Sequence, residues 1–398
     1  MTPKIFASRM ADIQPFHVMQ ILARARALEA QGRSIVHMEI GEPDFPTPTP
    51  IVEAGIAALR AGHTHYTSAL GLPALRAAIA ASYPPAARPD PGRVVITPGS
   101  SGALLLAFGI LINPGDDVLM ADPGYPGNRH FVRLFEGRAR LVPVDATTAY
   151  QLTAALVRKH WTATTRVVLI SSPSNPTGTL VPDAELAQIA DAVRERGGTL
   201  IVDEIYHGLT YGVQAHSALH HGSDIVVINS FSKYYGMTGW RVGWLVAPQA
   251  YVETIDRLAQ NVFLATNTPA QHAALAAFLP EVRAELDQRR AEFQSRRDFL
   301  LAALRALDFD IAVTPQGAFY LYAEVSRLAP DSSEFSRRLL EEVGVAVTPG
   351  HDFGEHAAQR YLRFSYANTR AQLEEGVSRI AAFLGRPKPE IDVNNSKR

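Results

Sequence analysis

The sequence contains no cysteine. That absence excludes disulfide staples, thiolate metal sites and cysteine nucleophiles. Lysine is scarce as well: of 38 basic residues only five are lysines, namely Lys4, Lys159, Lys233, Lys388 and Lys397. The formal net charge is −1 and no basic block stands outside ordinary helical faces, so the electrostatic footprint of a nucleic-acid binder is missing. No apolar run reaches the roughly eighteen residues of a membrane-spanning helix. The opening stretch MTPKIFASRMADIQPFHVM also lacks the apolar core of a signal peptide. Together these absences predict a cytoplasmic protein with no nucleic-acid or membrane partner and a small neutral or zwitterionic ligand.

What is present is material for a large core. The 398 residues are 47% hydrophobic, enough for two or three structural units. From about residue 90 short β-branched runs alternate with longer helical patterns: RVVIT, DVLMA, ARLVPV, RVVLISS, TLIVDE and DIVVINS. That rhythm predicts an α/β unit with a mostly parallel sheet. Between the runs, Leu186, Ile189, Ala190 and Val193 recur at helical spacing within Asp183 to Arg196, as a crossover helix requires. A long charged helix is expected from Pro280 to Leu307, followed by the strand-like AFYLYAEV, VAVTP and YLRFSYA of a smaller α+β unit. The first fifty residues, proline-rich at GEPDFPTPTP, read as an arm. The polar, proline-punctuated end GRPKPEIDVNNSKR reads as a frayed tail.

In open α/β sheets, ligands gather beyond the carboxyl ends of the strands. Five runs deliver polar residues there: PGSSGA, DPGYPG, SPSNPTG, DEIY and SFSKYYG. Each alone is an ordinary turn; together they supply glycines, hydroxyls, an amide, an acid and a lysine to one edge, as a flat, phosphate-bearing cofactor would need. Gly99-Ser100-Ser101-Gly102 sits between a strand and an apolar helix, where backbone N–H groups form an anion site. The segment is neither GxGxxG nor a Walker loop, which disfavours dinucleotides and nucleoside triphosphates.

Of the lysines, only Lys233 follows a buried-type strand. It is either a solvated loop residue or a partly desolvated amine whose pKa is lowered near a cation such as Arg241, the state imine formation requires. Asp203, at the end of TLIVD, is either a turn former or a carboxylate that pairs with a protonated pyridine nitrogen. His63, His65, His220 and His221 come with no carboxylates at metal-ligand spacing and read as loop residues, so no metal is expected.

SPSNPTG, DEIY and SFSKYYGMTGWRVG together resemble the class I/II aminotransferases of the fold-type I pyridoxal-phosphate-dependent enzymes. The likeness runs from GEPDFPTP through HYTSALGLPALR, TPGSSGAL and DPGYP to YLRFSYAN. The resemblance implies a large domain with a seven-stranded, mostly parallel sheet (49–285), a smaller α+β domain (286–385), an arm that shares the smaller domain (1–48) and a flexible tail (386–398). It implies pyridoxal 5′-phosphate as cofactor. Lys233 would carry it as a Schiff base and move the proton, with Asp203 on the ring nitrogen and Asn175 and Tyr206 on its phenolic oxygen. Tyr125 would stack on the ring. Ser100, Ser101, Ser230, Ser232 and Arg241 would hold the phosphate, joined by Tyr66 of a neighbouring subunit, which implies a homodimer. Arg363 would clamp the substrate α-carboxylate, with Asn175 and a backbone contact from Gly41.

The activity so implied is ping-pong transfer of an amino group from an L-amino acid to a 2-oxo acid. NVFLATNTPAQ, where the family often lines the side-chain pocket, offers Phe263, Leu264 and Asn267 without a cation, which favours neutral or apolar side chains. The alternatives are a C–S lyase or related enzyme on the same fold, an aspartate-type aminotransferase, and the non-catalytic effector module of bacterial regulators. The last requires an N-terminal DNA-binding domain, for which no helix-turn-helix pattern is present.

Overall fold

In the computed structural model, residues 6–391 are described. Twelve strands follow in order: β1 Val36–His37, β2 Val94–Thr97, β3 Asp117–Asp122, β4 Arg138–Pro143, β5 Thr165–Ser171 and β6 Thr199–Asp203. Then come β7 Val226–Ser230, β8 Gly243–Val246, β9 Tyr320–Glu324, β10 Val345–Ala346, β11 Thr348–Pro349 and β12 Tyr361–Ser365. The helices that matter for the site are α1 (His17–Glu29), α2 (Gly99–Leu111), α3 (Pro280–Ala306) and α4 (Arg370–Phe383).

The large sheet has seven strands in the order β2-β8-β7-β6-β5-β3-β4. All neighbours are parallel except β8, which runs antiparallel to both β2 and β7. Two apolar clusters cover its faces. One contains Val94, Ile96, Leu119, Val168 and Val202, the other Val95, Val118, Val167, Leu169 and Ile201, so alternate residues of single strands face opposite layers. Strands buried on both faces read as continuous β-branched runs, which is why β2, β3, β5, β6 and β7 stand out in the sequence; β4, at the sheet edge, is partly exposed and still shows the run LVPV. The seventh, β8, is four residues long and carries no polar cluster at its end.

The smaller unit holds an antiparallel sheet, β11-β12-β9, and the parallel pair β1-β10. The arm therefore enters the smaller unit through β1, where Val36 pairs with Val345. The apolar cluster of this unit includes Val36, Leu300, Phe319, Phe364 and Val377, and also Tyr206 and Leu209 from the loop after β6. The two units thus share buried contacts beside the sheet edge. The helix expected over Pro280 to Leu307 is α3; it runs unbroken through positions 285 and 286, where the large and small units were divided. Of the expected flexible tail, residues 392–398 lie outside the described residues.

Candidate active site

Loops after β2, β3, β5, β6 and β7 open into one cavity of ≈ 590 Å³, closed on the other side by α1, the Ile40–Glu42 segment and the smaller unit. The cavity brings together eleven of the residues singled out from the sequence: Gly41, Ser100, Ser101, Tyr125, Asn175, Asp203, Tyr206, Ser232, Lys233, Arg241 and Arg363. Two of the residues expected to hold the phosphate stand elsewhere. Ser230 lies behind the wall, its hydroxyl 2.9 Å from that of Ser232 while it accepts from the Ser232 amide at 3.1 Å. Tyr66 is 81% exposed, outside the cavity of its own chain.

Lys233 follows β7, and its Nζ donates to the Gly41 carbonyl at 2.6 Å. Withdrawal from water is the main reason its pKa falls to about 8; Glu42 opposes that shift, and the Arg363 and Arg241 charges add to it. The cation expected to act on this lysine was Arg241, and Arg363 stands ahead of it. Asp203 ends β6, is buried, and accepts from the Ile205 amide at 3.0 Å. Burial raises its carboxyl to about 6, against the pull of that hydrogen bond and of Lys233. A carboxylate in this state gains from a cation placed beside it.

On the wall of the same cavity, α2 begins at Gly99 with φ of +67°. A Cβ there would stand 2.5 Å from Nη2 of Arg241, so the guanidinium lies directly against the helix start. Arg241 is itself left-handed, with φ of 56°, and Nη1 donates to the Thr238 carbonyl at 3.0 Å. The α2 N-terminus, the hydroxyls of Ser100, Ser101 and Ser232, and a guanidinium make a donor set suited to a phosphate dianion. Together with Asp203 and the low-pKa amine of Lys233, the residues fit a phosphate-bearing aldehyde with a basic ring nitrogen.

Arg363 sits on β12, 3% exposed. Nη1 donates to Asn175 Oδ1 at 3.0 Å and Nη2 to the Glu39 carbonyl, while Nε is buried with no partner. Rings of Tyr320 and Phe353 lie 4.4 and 4.8 Å from its guanidinium carbon. Among the described residues no carboxylate pairs with it. A buried cation held only by neutral groups is electrostatically incomplete, and a ligand carboxylate would complete it.

Several contributors to the wall carried no signal in the sequence. Phe16 stacks on Tyr125 with ring centroids 5.9 Å apart. Val18, Met19, Leu22 and Arg26 line the cavity from α1, and Asp352 and Phe353 line it from the smaller unit. The Tyr320 hydroxyl meets that of Tyr206 at 2.8 Å. Phe263, Leu264 and Asn267, expected to line a side-chain pocket, are not part of this cavity; Asn267 instead accepts from the Ala270 amide as a helix cap.

The family model described as aminotransferase class I and II matches residues 33–380. The chain is 39% identical over 378 residues to a valine–pyruvate aminotransferase of Mycobacterium tuberculosis, covering 94% of this chain and 97% of that one. It is 38% identical over 387 residues to a (5-formylfuran-3-yl)methyl phosphate transaminase of Methanocaldococcus jannaschii, covering 96% and 100%. The crystal structure of an aminotransferase from Mycobacterium tuberculosis superposes with a TM-score of 0.92 at 39% identity, covering 96% of this chain and 99% of that one.

Proposed function

The chain belongs to the class I and II aminotransferase family, and from that premise we propose that it transfers an amino group from an L-amino acid with a neutral or apolar side chain to a 2-oxo acid, in two half-reactions at one cavity, with pyridoxal 5′-phosphate as cofactor. The observation that carries this reading is the pairing of two cations with one backbone segment: Arg363 donates to the carbonyl of Glu39 and Lys233 to that of Gly41. A buried guanidinium for an α-carboxylate and a low-pKa amine are thereby fixed two residues apart on a common support.

Bound here, pyridoxal phosphate would supply an aldehyde that accepts the amino group and a ring that withdraws electrons from the carbon losing its proton. The phosphate would be held by Ser100, Ser101, Ser232 and Arg241, and the ring nitrogen would face Asp203. With its pKa brought down to about 8 by burial, Lys233 can take and return a proton at Nζ. Arg363 would hold the α-carboxylate by its paired N–H groups, with Asn175 fixing the guanidinium. Tyr206, whose hydroxyl burial holds well above its usual range, would stay a hydrogen-bond donor. Phe16, Val18, Leu22 and Phe353 give the wall an apolar face that would exclude water and take an uncharged side chain, with Arg26 the one cation that α1 adds to it. The valine named for the tuberculosis relative agrees with that wall. Tyr66, exposed on its own chain, would reach the phosphate of a second copy in a homodimer.

Mixing the cofactor-loaded protein with single L-amino acids, with no acceptor present, tests the proposal. One equivalent of the matching 2-oxo acid per site supports it, whereas continuous release of ammonia and pyruvate would replace it by a lyase.

A further inference from the structure

The Glu39–Gly41 segment holds both cations of the site through its backbone, and what holds the segment itself lies outside the cavity. The Glu39 side chain is fully buried, with Oε1 2.8 Å from His37 Nδ1 and Oε2 lacking any partner. The other ring nitrogen of His37, Nε2, is 3.2 Å from Oε1 of Glu29, the last residue of α1. One imidazole therefore bridges two carboxylates: one on the segment behind Arg363 and Lys233, the other on the helix that supplies Val18, Met19 and Leu22 to the cavity wall.

We propose that His37 is a positioning residue for substrate binding: by holding the Glu39 and Glu29 carboxylates with its two ring nitrogens, it fixes the Glu39–Gly41 carbonyls under Arg363 and Lys233 and ties α1 to them. Both ring nitrogens must donate to do this, which only the imidazolium can. A buried carboxylate with one unpaired oxygen, whose only ion pair among the described residues is with His37, makes the charge on the ring costly to lose.

The neighbours of the ring agree. The hydrogen bond to Glu39 is the largest cause raising the His37 pKa to about 9, with Glu29 adding to it and burial opposing it. On β10, paired with β1, Val345 and Ala346 face it with no charge. On α4, packed against β1, Arg370 pairs with Glu374 and Arg379 with Glu375, and none of the four bonds the imidazole. The backbone around it is tied to both sheets of the smaller unit: the Met38 amide donates to Ala346, the Ser365 amide to Met38, and the Thr348 hydroxyl to the Glu39 carbonyl. Movement of Glu39 would therefore reach Arg363 through its accepted hydrogen bond.

The inference rests on the reading of Arg363 as the carboxylate site, so its test uses a carboxylate that cannot react. Calorimetry with 3-phenylpropionate on the cofactor-loaded protein compares wild type, His37→Gln and His37→Arg, alongside steady-state kinetics. His37→Gln should weaken 3-phenylpropionate about tenfold at neutral pH and raise KM for all amino acids alike while kcat stays within about twofold. His37→Arg, charged at every pH, should bind as wild type does. Wild-type affinity should fall as pH rises through about 9, and that limb should be absent from His37→Arg; groups common to both proteins cancel in the comparison. Equal affinity of wild type and His37→Gln, or the same alkaline limb in wild type and His37→Arg, would overturn the inference. If His37→Gln does not fold, the limb in His37→Arg decides. No binding of 3-phenylpropionate by wild type would overturn it together with the role of Arg363. Histidine-dependent binding without amino transfer would leave it standing and sink the proposed function instead.

Discussion

Asp352 accepts from the first turn of α1 with both oxygens: Oδ1 from the His17 amide at 2.9 Å and Oδ2 from the Val18 amide at 3.4 Å. A residue of the smaller unit thereby closes the N-terminus of the helix that roofs the cavity, in the position where an acid also complements the helix dipole. Asp352 itself lines the cavity, so the contact couples the roof to the floor carrying Arg363.

Removing that acceptor should loosen the roof without touching the cofactor groups. Asp352→Ala is expected to lose about 1 kcal/mol of helix docking, raising KM for amino acids roughly fivefold, with the visible spectrum of the bound cofactor unchanged. Steady-state kinetics with parallel spectra check it.

Arg363→Lys keeps a charge but loses the planar fork that can grip a carboxylate at two points. It also leaves Asn175 and the Glu39 carbonyl short of donors. Loss of about 2–3 kcal/mol of carboxylate binding is expected, or roughly a hundredfold in kcat/KM for every amino acid irrespective of side chain. A loss confined to one side-chain class would assign Arg363 a different role.

Stability should carry the mark of a buried acid next to Asp203. Glu204 is buried, with Oε1 accepting from Ser217 Oγ and the Ala218 amide and Oε2 3.4 Å from His207 Nδ1. Burial raises its pKa to about 8 and lowers that of His207 to about 4. The folded chain keeps a proton on Glu204 that the unfolded chain releases near its ordinary pKa, so this contribution is fully present below that value and is lost as pH rises through 8. His207 works in the opposite sense, but only between about 4 and its ordinary value near 6.5. From pH 6.5 to 8 the Glu204 slope is no longer offset by His207. Glu204→Gln keeps both acceptances and removes the titration. Its stability relative to wild type should rise across that window by on the order of 1.4 kcal/mol per pH unit, read from urea unfolding of the cofactor-free protein. A constant difference would contradict the assignment.

Much of the site was legible because a parallel sheet turns sequence order into place: residues that follow strands meet at one edge. Asp203 ends such a run, Lys233, Asn175 and Tyr125 follow one within four residues, and each lines the cavity. The roof was not legible. His17 and Asp352 are 335 positions apart in sequence, their meeting fixed by how α1 docks on the smaller unit, and neither carries a motif of its own. Glu39 lies in the stretch read as an arm and carries no motif of its own; its role appears only when its carbonyl is seen to face Arg363. Strand β8 lacked a signal because it is four residues long and only its last residue, Val246, is β-branched. Phe263, Leu264 and Asn267 were placed by analogy of position, whereas the local chemistry of Asn267 is that of a helix cap.

The scarcity of lysine makes the central claim directly measurable. Borohydride fixes a Schiff-base cofactor to the lysine that bears it, and proteolysis with mass spectrometry then identifies the peptide. The account predicts the reduced cofactor on the peptide containing Lys233, and none on a Lys233→Ala protein treated in the same way. Label on Lys159 or Lys388, or no label on the wild type, would contradict it.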